Sequence, residues 1–395
     1  MTKYILTAAA ATLAAALSLS STTAFITTAG SANIMKDNAA LSALFSTTET
    51  AESSDAIISS PSATFSLDMP PYSKWEWNTH HNAESQSNKN TATKTTHSIN
   101  YLSMGDTTKP ALLLVHGFGA SSYHFRYNIP ELAKDYHVYA IDLLGFGWSD
   151  KPIMDYDASV WRDQVIEFID QVIFKEKEDE NRSIAIAGNS LGGYTAMYAA
   201  SDGRIKDYVR GCILLNSAGR FRPEEGEETP AEPNPIVKSI SSAIQRLVIA
   251  CSFVITKQPA RIEQILKSVY PSDSTNVNSE LVESIRAPAL DPNAAEVFYR
   301  VITKNGSGPM AFVDDIIKEL ECPVLLAWGE KDPWIRPAAA DKMQRLHAEF
   351  HGENIGGENG SKWMKRVSID AGHCPHDEAP EAVNKAILRF AAEVF

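Results

Sequence analysis

The chain lacks the cysteine patterns of disulfide scaffolds and zinc sites. Its 395 residues include only four cysteines, which are scattered rather than paired, so we expect most of the thiols to be buried and no structural metal. A surplus of positive charge is also absent, since the formal net charge is -13 and no basic stripe occurs. These absences argue against nucleic acid as a partner and against electrostatic docking on anionic lipid.

Phosphate-binding loops are missing as well. The Gly-rich turns have neither the G-x-G-x-x-G spacing nor a P-loop lysine, so we expect no nucleotide cofactor. No internal repeat is visible. What the chain does have is length and an apolar fraction of 44%, which is enough for one large domain with a sizeable core.

Strand-like and helix-like segments alternate along most of the chain. Two early segments, 74–77 and 98–101, are predicted as antiparallel strands separated by a polar loop. Six further strand-like runs follow, with helical segments such as 158–174 between them: 111–115, 137–142, 183–187, 211–215, 323–328 and 366–369. This alternation predicts an α/β fold in which a mostly parallel sheet has helices on both faces and one antiparallel edge.

A long segment between about residues 220 and 320 interrupts this rhythm after the sixth strand. Apolar residues recur there with helical spacing, for example at Ile262, Leu266 and Val269. We expect a mostly helical lid over the active site, although these faces must also pack on the main domain. So much apolar surface near a pocket favours a large hydrophobic acyl or alcohol group over a small polar substrate.

The pentapeptide Gly188-Asn189-Ser190-Leu191-Gly192 directly follows a predicted strand. A serine between two glycines at a strand-to-helix turn is typical of a nucleophile elbow, where the strained backbone needs small residues two positions before and after the serine. Gly188 and Gly192 meet this need. The pattern also arises by chance in Gly-rich turns, so its partners elsewhere in the chain decide the interpretation.

Two candidate partners follow later strands. Asp332 lies in the loop after 323–328, and His373 lies just after 366–369. Both loops belong to the carboxyl edge of the predicted sheet, where loop residues build sites. Ser190, Asp332 and His373 therefore form a candidate catalytic triad, in the chain order Ser, Asp, His that is typical of α/β-hydrolases.

Rival residues lie close to two members of this triad. Glu330 and Asp370 are alternative acids, but Glu330 comes only two residues after its strand, and Asp370 lies on the strand end of the histidine itself. The position after the preceding strand, where some relatives carry the acid, is Asn216. His376 is a competing base near the start of the last helix, where helix capping is the more ordinary role for its surroundings.

Acyl transfer at a serine also needs hydrogen-bond donors for the oxyanion. The Gly-rich segment 116–121 follows the predicted buried strand 111–115. We expect the backbone N–H groups of Phe118 and Leu191 to form the oxyanion hole. His116 is interpreted as a residue that braces this loop rather than as a second base.

The first 70 residues differ in composition from the rest. Residues 1–24 contain a lysine, an apolar stretch too short for a confident membrane span and then small residues, which is the pattern of a cleaved signal peptide. Residues 25–70 are rich in Ser, Thr and Ala and are not expected to pack. Together they resemble the two-part plastid presequence of algae with secondary plastids, with secretion or an endomembrane anchor as the alternative. The catalytic domain is predicted over residues 71–395.

Four longer segments carry a family resemblance: 128–132, 142–152, 188–194 and 372–378. They resemble the chloroplast α/β-hydrolases of plants and algae that include pheophytinase, and the likeness runs from about Trp75 to the carboxyl terminus. The resemblance implies an α/β-hydrolase fold and hydrolysis of a carboxylic ester, such as the phytyl ester of a chlorophyll-type pigment, without metal or cofactor. Dehalogenases and epoxide hydrolases of this fold are disfavoured, because they carry aspartate where this chain has Ser190.

The predicted partner is therefore a hydrophobic small-molecule ester in the plastid. Transient contact between the lid and a membrane surface is a further expectation. Two alternatives remain: a plastid lipid or acyl ester hydrolase, and a non-catalytic ligand receptor on the same fold.

Overall fold

An eight-stranded sheet forms the centre of the part of the chain that the computed structural model describes. The described residues are 69–79, 95–175, 182–223, 248–304, 311–352 and 363–395. The strands are β1 Ser73–Thr79, β2 Thr95–Met104, β3 Ala111–Val115, β4 His137–Ile141, β5 Ile184–Asn189, β6 Val209–Leu215, β7 Val324–Gly329 and β8 Met364–Ile369. The predicted signal peptide and nearly all of the predicted targeting segment lie outside the described residues.

The strands lie in the order β1-β2-β4-β3-β5-β6-β7-β8. β2 pairs antiparallel with β1 and with β4, whereas the other pairings are parallel. The predicted antiparallel edge and the six parallel strands are confirmed, the latter to within two residues at each end. Because β5, β6, β7 and β8 are successive parallel neighbours, the loops at their carboxyl ends meet along one edge of the sheet.

The helices fill the connections between these strands. Their bounds are α1 Ile129–Leu132, α2 Ala158–Phe168 continued by the π-helical turn Ile169–Ile173, α3 Leu191–Ala200, α4 Pro259–Val269, α5 Ser279–Arg286, α6 Ala294–Lys304, α7 Val313–Glu319, α8 Ala338–His351, α9 Pro375–Glu378 and α10 Pro380–Val394. Residues 248–256 are also helical. The predicted helix over 158–174 is thus confirmed.

Both faces of the sheet are covered, as predicted. Leu113 of β3 packs in one apolar core with Val165 of α2, whereas its neighbour Leu112 packs in a second core with Ile129 and Ile387. Successive side chains of a strand point to opposite faces, so these two cores lie on opposite sides of the sheet. A strand buried on both faces needs an uninterrupted apolar run, which explains the sequence of β3.

Helices between β6 and β7 occupy the region of the predicted lid. We call the described residues 248–304 the cap. Ile262, Leu266 and Val269 are buried at successive turns of α4 and share an apolar cluster with Cys374, which follows β8. The helical spacing predicted for α4 is confirmed, and its apolar face packs against the loop that carries His373. The predicted helical segment before residue 248 lies outside the described residues.

Candidate active site

Ser190 lies at the turn between β5 and α3. Its backbone has φ 54° and ψ −116°, a conformation that side-chain-bearing residues rarely adopt. The Ser190 N–H donates to the carbonyl oxygen of Leu215 at 3.1 Å, which ties the turn to the end of β6. Strained backbone of this kind persists where the surrounding structure enforces it, most often at functional sites.

The two flanking glycines make this turn sterically feasible. A Cβ on Gly188 would lie 2.2 Å from the carbonyl oxygen of Gly192, and a Cβ on Gly192 would lie 2.1 Å from the carbonyl oxygen of Val115. Both contacts involve backbone atoms, which cannot move aside as a flexible side chain can. The structure therefore explains why the elbow pattern requires glycine at these two positions.

Asp332 and His373 form a hydrogen-bonded pair. The imidazole Nδ1 of His373 is 2.8 Å from Asp332 Oδ2, and both residues are only 4% exposed. The other carboxylate oxygen of Asp332 accepts from the N–H groups of Trp334 and Ile335 at 2.7 and 3.0 Å. An Nδ1–H donated to this carboxylate leaves the Nε2 lone pair of His373 available to accept a proton.

Two asparagines connect these residues to the elbow. The side-chain amide of Asn189 donates to the carbonyl oxygens of His373 and Leu215, each at 2.9 Å. The amide of Asn216, which has φ 44°, donates to Asp332 Oδ2 at 2.8 Å, and its oxygen accepts from the Gly329 N–H at 2.7 Å. The structure therefore brings the loops of Ser190, Asp332 and His373 together through Asn189 and Asn216.

Sequence reasoning overlooked the role of both asparagines. Asn216 entered the sequence argument only as a missing acid, and Asn189 only as a spacer in the elbow. The available signal was position, since each is a short amide side chain at the carboxyl end of a strand that faces the predicted site. An amide there can donate to one loop and accept from another, whereas an ionised carboxylate can only accept.

The rival acids have other partners. Glu330 is 2.6 Å from Arg366 Nη2, and Asp370 is 2.7 Å from Lys331 Nζ. Asp370 is also an exposed side chain, and its hydrogen bond with Lys331 lowers the pKa of its carboxyl group. The structure places neither carboxylate against the imidazole of His373.

The rival base is inaccessible. His376 is completely buried, with its ring 4.7 Å from the ring of His124 and 4.6 Å from that of Phe125. Burial lowers the pKa of His376 to about 3. Its place in the short helix α9 agrees with the expected position near the start of the last helix, but it lies in the core and not at the elbow.

The predicted oxyanion loop lies against the elbow. A Cβ on Gly117 would lie 3.3 Å from the Cβ of Ser190. His116 is fully buried and braces this loop, because its Nδ1 donates to the Gly117 carbonyl at 2.7 Å while its Nε2 accepts from the Leu143 N–H at 3.0 Å. Leu191 is the first residue of α3, so its N–H has no carbonyl partner within the helix.

Aromatic rings link the oxyanion loop to the cap. The half-buried ring of Phe118 is 5.4 Å from the rings of Phe146 and Phe298, and Phe298 in α6 is 5.1 Å from Phe253. These separations are typical of favourable aromatic pairs. The cap therefore presents an apolar aromatic surface next to the loop that contacts Ser190.

Cysteine chemistry plays no visible part at this site. Cys212, Cys322 and Cys374 are buried, as expected, whereas Cys251 of the cap is exposed. Burial raises the pKa of the Cys374 thiol well above its usual range, so the thiol beside His373 is not activated as a nucleophile. Among the described residues, no group of three or more His, Cys, Asp or Glu side chains is arranged to hold a metal ion. Within those same ranges, no helix is both long and apolar enough to cross a bilayer.

Comparisons with known proteins agree on one family. The profile described as "Alpha/beta hydrolase family" matches residues 112–386. The chain is 30% identical to the chloroplastic pheophytinase of Arabidopsis thaliana over 70% of its own length, and this match spans 60% of the pheophytinase. It is 37% identical to a 1-acylglycerol-3-phosphate O-acyltransferase of Rattus norvegicus, over 71% of this chain and 77% of that protein.

More distant relatives include bacterial lipases and vertebrate epoxide hydrolases. Among solved structures, a bacterial membrane phospholipase A matches 81% of this chain and 86% of its own chain, with a TM-score of 0.56 at 24% identity. At this identity the structural match supports the fold alone. Relatives with such different activities leave the choice of reaction to the residues of the site.

Proposed function

Because the chain belongs to the α/β-hydrolase family, we propose that it is a serine hydrolase that cleaves a carboxylic ester of a hydrophobic substrate. One observation carries the proposal: Ser190 lies on a strained turn whose neighbour Asn189 holds the loop of His373, which in turn pairs with Asp332. Nucleophile, base and acid thus lie on three adjacent loops, which is the arrangement of a Ser-His-Asp triad.

In the proposed reaction, Ser190 Oγ attacks the ester carbonyl while His373 Nε2 takes its proton. His373 then returns the proton to the leaving alcohol, and water releases the acyl group from Ser190 by the same route. Asp332 orients the imidazole and stabilises its cation. The N–H groups of Phe118 and Leu191 bind the oxyanion, for which the contact between Gly117 and Ser190 gives support.

The proposed substrate has a long apolar acyl or alcohol group. The rings of Phe118, Phe298 and Phe253 support this, because an apolar chain bound beside Ser190 would contact them. The similarity to a pheophytinase favours the phytyl ester of a chlorophyll-type pigment and a plastid location. Exposed Val254 and Ile255 in the cap are compatible with transient contact to a membrane that carries such esters.

A second candidate is acyl transfer to an alcohol instead of to water. The similarity to an acyltransferase at 37% identity favours it, and the acyl intermediate on Ser190 would be common to both reactions. Adding a lysophospholipid acceptor to the ester assay separates the two. Transfer predicts an acylated acceptor, whereas hydrolysis predicts free acid at every acceptor concentration.

The deciding experiment is labelling of the full chain with a fluorophosphonate probe, followed by an ester panel. We expect labelling of Ser190, none in Ser190→Ala, and faster turnover of pigment or galactolipid esters than of acetyl esters. A folded wild-type protein that is not labelled would instead support the ligand receptor. A preference for acetyl esters would reject the hydrophobic substrate while leaving the serine hydrolase standing.

A further inference from the structure

A buried ion pair lies beside the loop of His373. Arg126 follows the 3₁₀ turn Ser122–Phe125, and Asp377 lies in α9. Arg126 Nη1 is 2.6 Å from Asp377 Oδ1, and neither side chain is exposed to solvent. Burial of two charges is costly unless they are paired and also hydrogen-bonded to further groups. The segment that supplies these further hydrogen bonds therefore helps to hold the ion pair.

The further partners come from the cap. The hydroxyl group of Tyr270 donates to Asp377 Oδ2 at 2.8 Å. The side-chain amide of Asn276 donates to the backbone carbonyl of Asp377 at 2.6 Å, and Arg126 Nη2 donates to the backbone carbonyl of Asn276 at 2.8 Å. The cap turn between α4 and α5 is therefore attached to both members of the ion pair.

Tyr270 also contacts His124. Its hydroxyl oxygen is 2.8 Å from His124 Nε2. Since the single hydroxyl proton is donated to Asp377, His124 must donate its Nε2–H to the tyrosine oxygen. Burial lowers the pKa of His124 well below its usual range, which keeps this imidazole neutral. Tyr270 is thus a junction between the turn after β3, the cap and α9.

The end of α4 and the cap turn that follows it contact the backbone of the His373 loop. The His373 N–H donates to the carbonyl oxygen of Val269 at 3.0 Å. The Glu378 carboxylate accepts from the N–H of Gly372 at 2.5 Å and from that of Ser272 at 2.7 Å. A Cβ on Gly372 would lie 2.3 Å from the Val269 carbonyl oxygen, so the two backbones are in direct contact. A shift of the cap turn would therefore shift His373.

We propose that Arg126, Asp377 and Tyr270 form a clamp that positions the His373 imidazole relative to Ser190, and that Tyr270 couples this position to the cap. The inference rests on the proposed role of His373 as the general base. The clamp acts through the His373 loop, so its loss should affect the chemical step and not substrate binding. A catalytic group displaced by about 1 Å can cost on the order of 10²-fold in rate.

The test compares Tyr270→Phe with Tyr123→Phe in the full-length protein. Each substitution removes one buried hydroxyl that bridges to a neighbouring segment, since Tyr123 donates to Glu280 of α5 at 3.0 Å. The Tyr270 hydroxyl donates to Asp377 of α9, whereas the Tyr123 hydroxyl donates to α5. We expect Tyr270→Phe to lower kcat and the rate of fluorophosphonate labelling roughly 10- to 100-fold at an unchanged KM, and Tyr123→Phe to change neither.

Amide hydrogen exchange gives a readout that does not depend on activity. The peptide that contains the His373 N–H should exchange faster in Tyr270→Phe than in the wild type, and at the wild-type rate in Tyr123→Phe. Glu378→Gln keeps the side-chain shape but weakens the bridge to Ser272, so it should show the same direction in both measurements. If Tyr270→Phe does not fold, Glu378→Gln takes its place in both measurements.

Two outcomes would overturn the inference. Equal losses of melting temperature in both tyrosine variants, with kcat and exchange at His373 unchanged in Tyr270→Phe, would overturn the clamp. A higher KM in Tyr270→Phe without a change in kcat would also overturn it and would make Tyr270 part of substrate binding. Failure of the proposed function is separate: it shows as an unlabelled wild type, in which case exchange at His373 still decides whether the clamp holds the loop.

Discussion

His373 and His376 are three residues apart, yet the structure places them in opposite surroundings. His373 pairs with Asp332 and lies on a loop attached to the elbow of Ser190. His376 is buried in the core, and neither of its ring nitrogens has a hydrogen-bond partner in the part of the chain that is described. Since both histidines are buried, the comparison teaches that hydrogen-bond partners, and not residue type or spacing, separate a candidate base from a core histidine.

Asp332 and Asp377, the aspartates near these two histidines, also differ in their partners. Asp332 accepts from two backbone N–H groups, from an amide and from an imidazole, all of them neutral or only transiently charged groups. Asp377 instead faces a permanent cation, Arg126, and burial raises its pKa to about 6. The first arrangement suits a proton that moves during a reaction, and the second suits a fixed connection between segments.

The largest predicted effect separates the two histidines directly. His373→Ala should reduce ester hydrolysis by a factor on the order of 10⁴ or more, matching Ser190→Ala, because residues of one catalytic unit show non-additive losses. His376→Ala should keep most of its activity and lose stability instead. Steady-state kinetics on folded variants measure this. A collapse of activity in His376→Ala with a functional His373→Ala would reverse the assignment.

The next effect concerns the acid. Asp332→Asn should lower the rate by roughly 10³ to 10⁴, because an amide cannot hold the imidazole in its working tautomer or stabilise its cation. Glu330→Gln and Asp370→Asn serve as matched controls and should be mild, since both carboxylates pair with surface cations. The same ester assay compares all three variants. Near-normal turnover in Asp332→Asn would move the acid elsewhere.

The buried ion pair predicts a stability effect. Asp377→Asn leaves the charge of Arg126 buried without its counter-ion, which should reduce the free energy of unfolding by about 3 to 5 kcal/mol. Glu393→Gln removes an exposed ion pair, in which the Glu393 carboxylate is 2.5 Å from Lys365 Nζ. It should lower the free energy of unfolding by less than about 1 kcal/mol. Urea unfolding of both variants measures the difference, and similar losses would refute the contrast.

The smallest effect is a pH dependence. Between pH 6.5 and about 3 the histidine at position 376 binds a proton in the unfolded chain but not in the fold, because burial lowers its folded-state pKa from 6.5 to about 3. The unfolded state therefore binds more protons, and stability falls as pH falls, by up to about 1.4 kcal/mol per pH unit. His376→Phe should lose this contribution.

Unfolding free energies between pH 5 and 8 check the prediction. The control is Phe125→Leu, which alters the packing against the His376 ring without removing a titratable group. It should lower stability equally at all these pH values. An unchanged pH slope in His376→Phe would show that this histidine is not held neutral by the core.

Much of the fold and the positions of the candidate site residues were predictable from local patterns. The buried run of β3 was located to the residue, and Gly188 and Gly192 follow from the steric needs of one turn. Asp332 and His373 were predicted from their positions after strands, and the structure brings them to 2.8 Å. Their catalytic roles stay predictions, as do the targeting segment and the lid function.

The sequence by itself determined the alternation of strands and helices, the strained serine turn and the family, because each depends on residues close together in the chain or on a motif of fixed spacing. Only the tertiary structure decided that Asn189 and Asn216 connect three loops, that His376 is buried, and that Tyr270 joins His124 to Asp377 of α9. These contacts join residues that are distant in the chain. Neither periodicity nor spacing encodes such pairs, since they arise from the packing of the cap and the loops at the sheet edge.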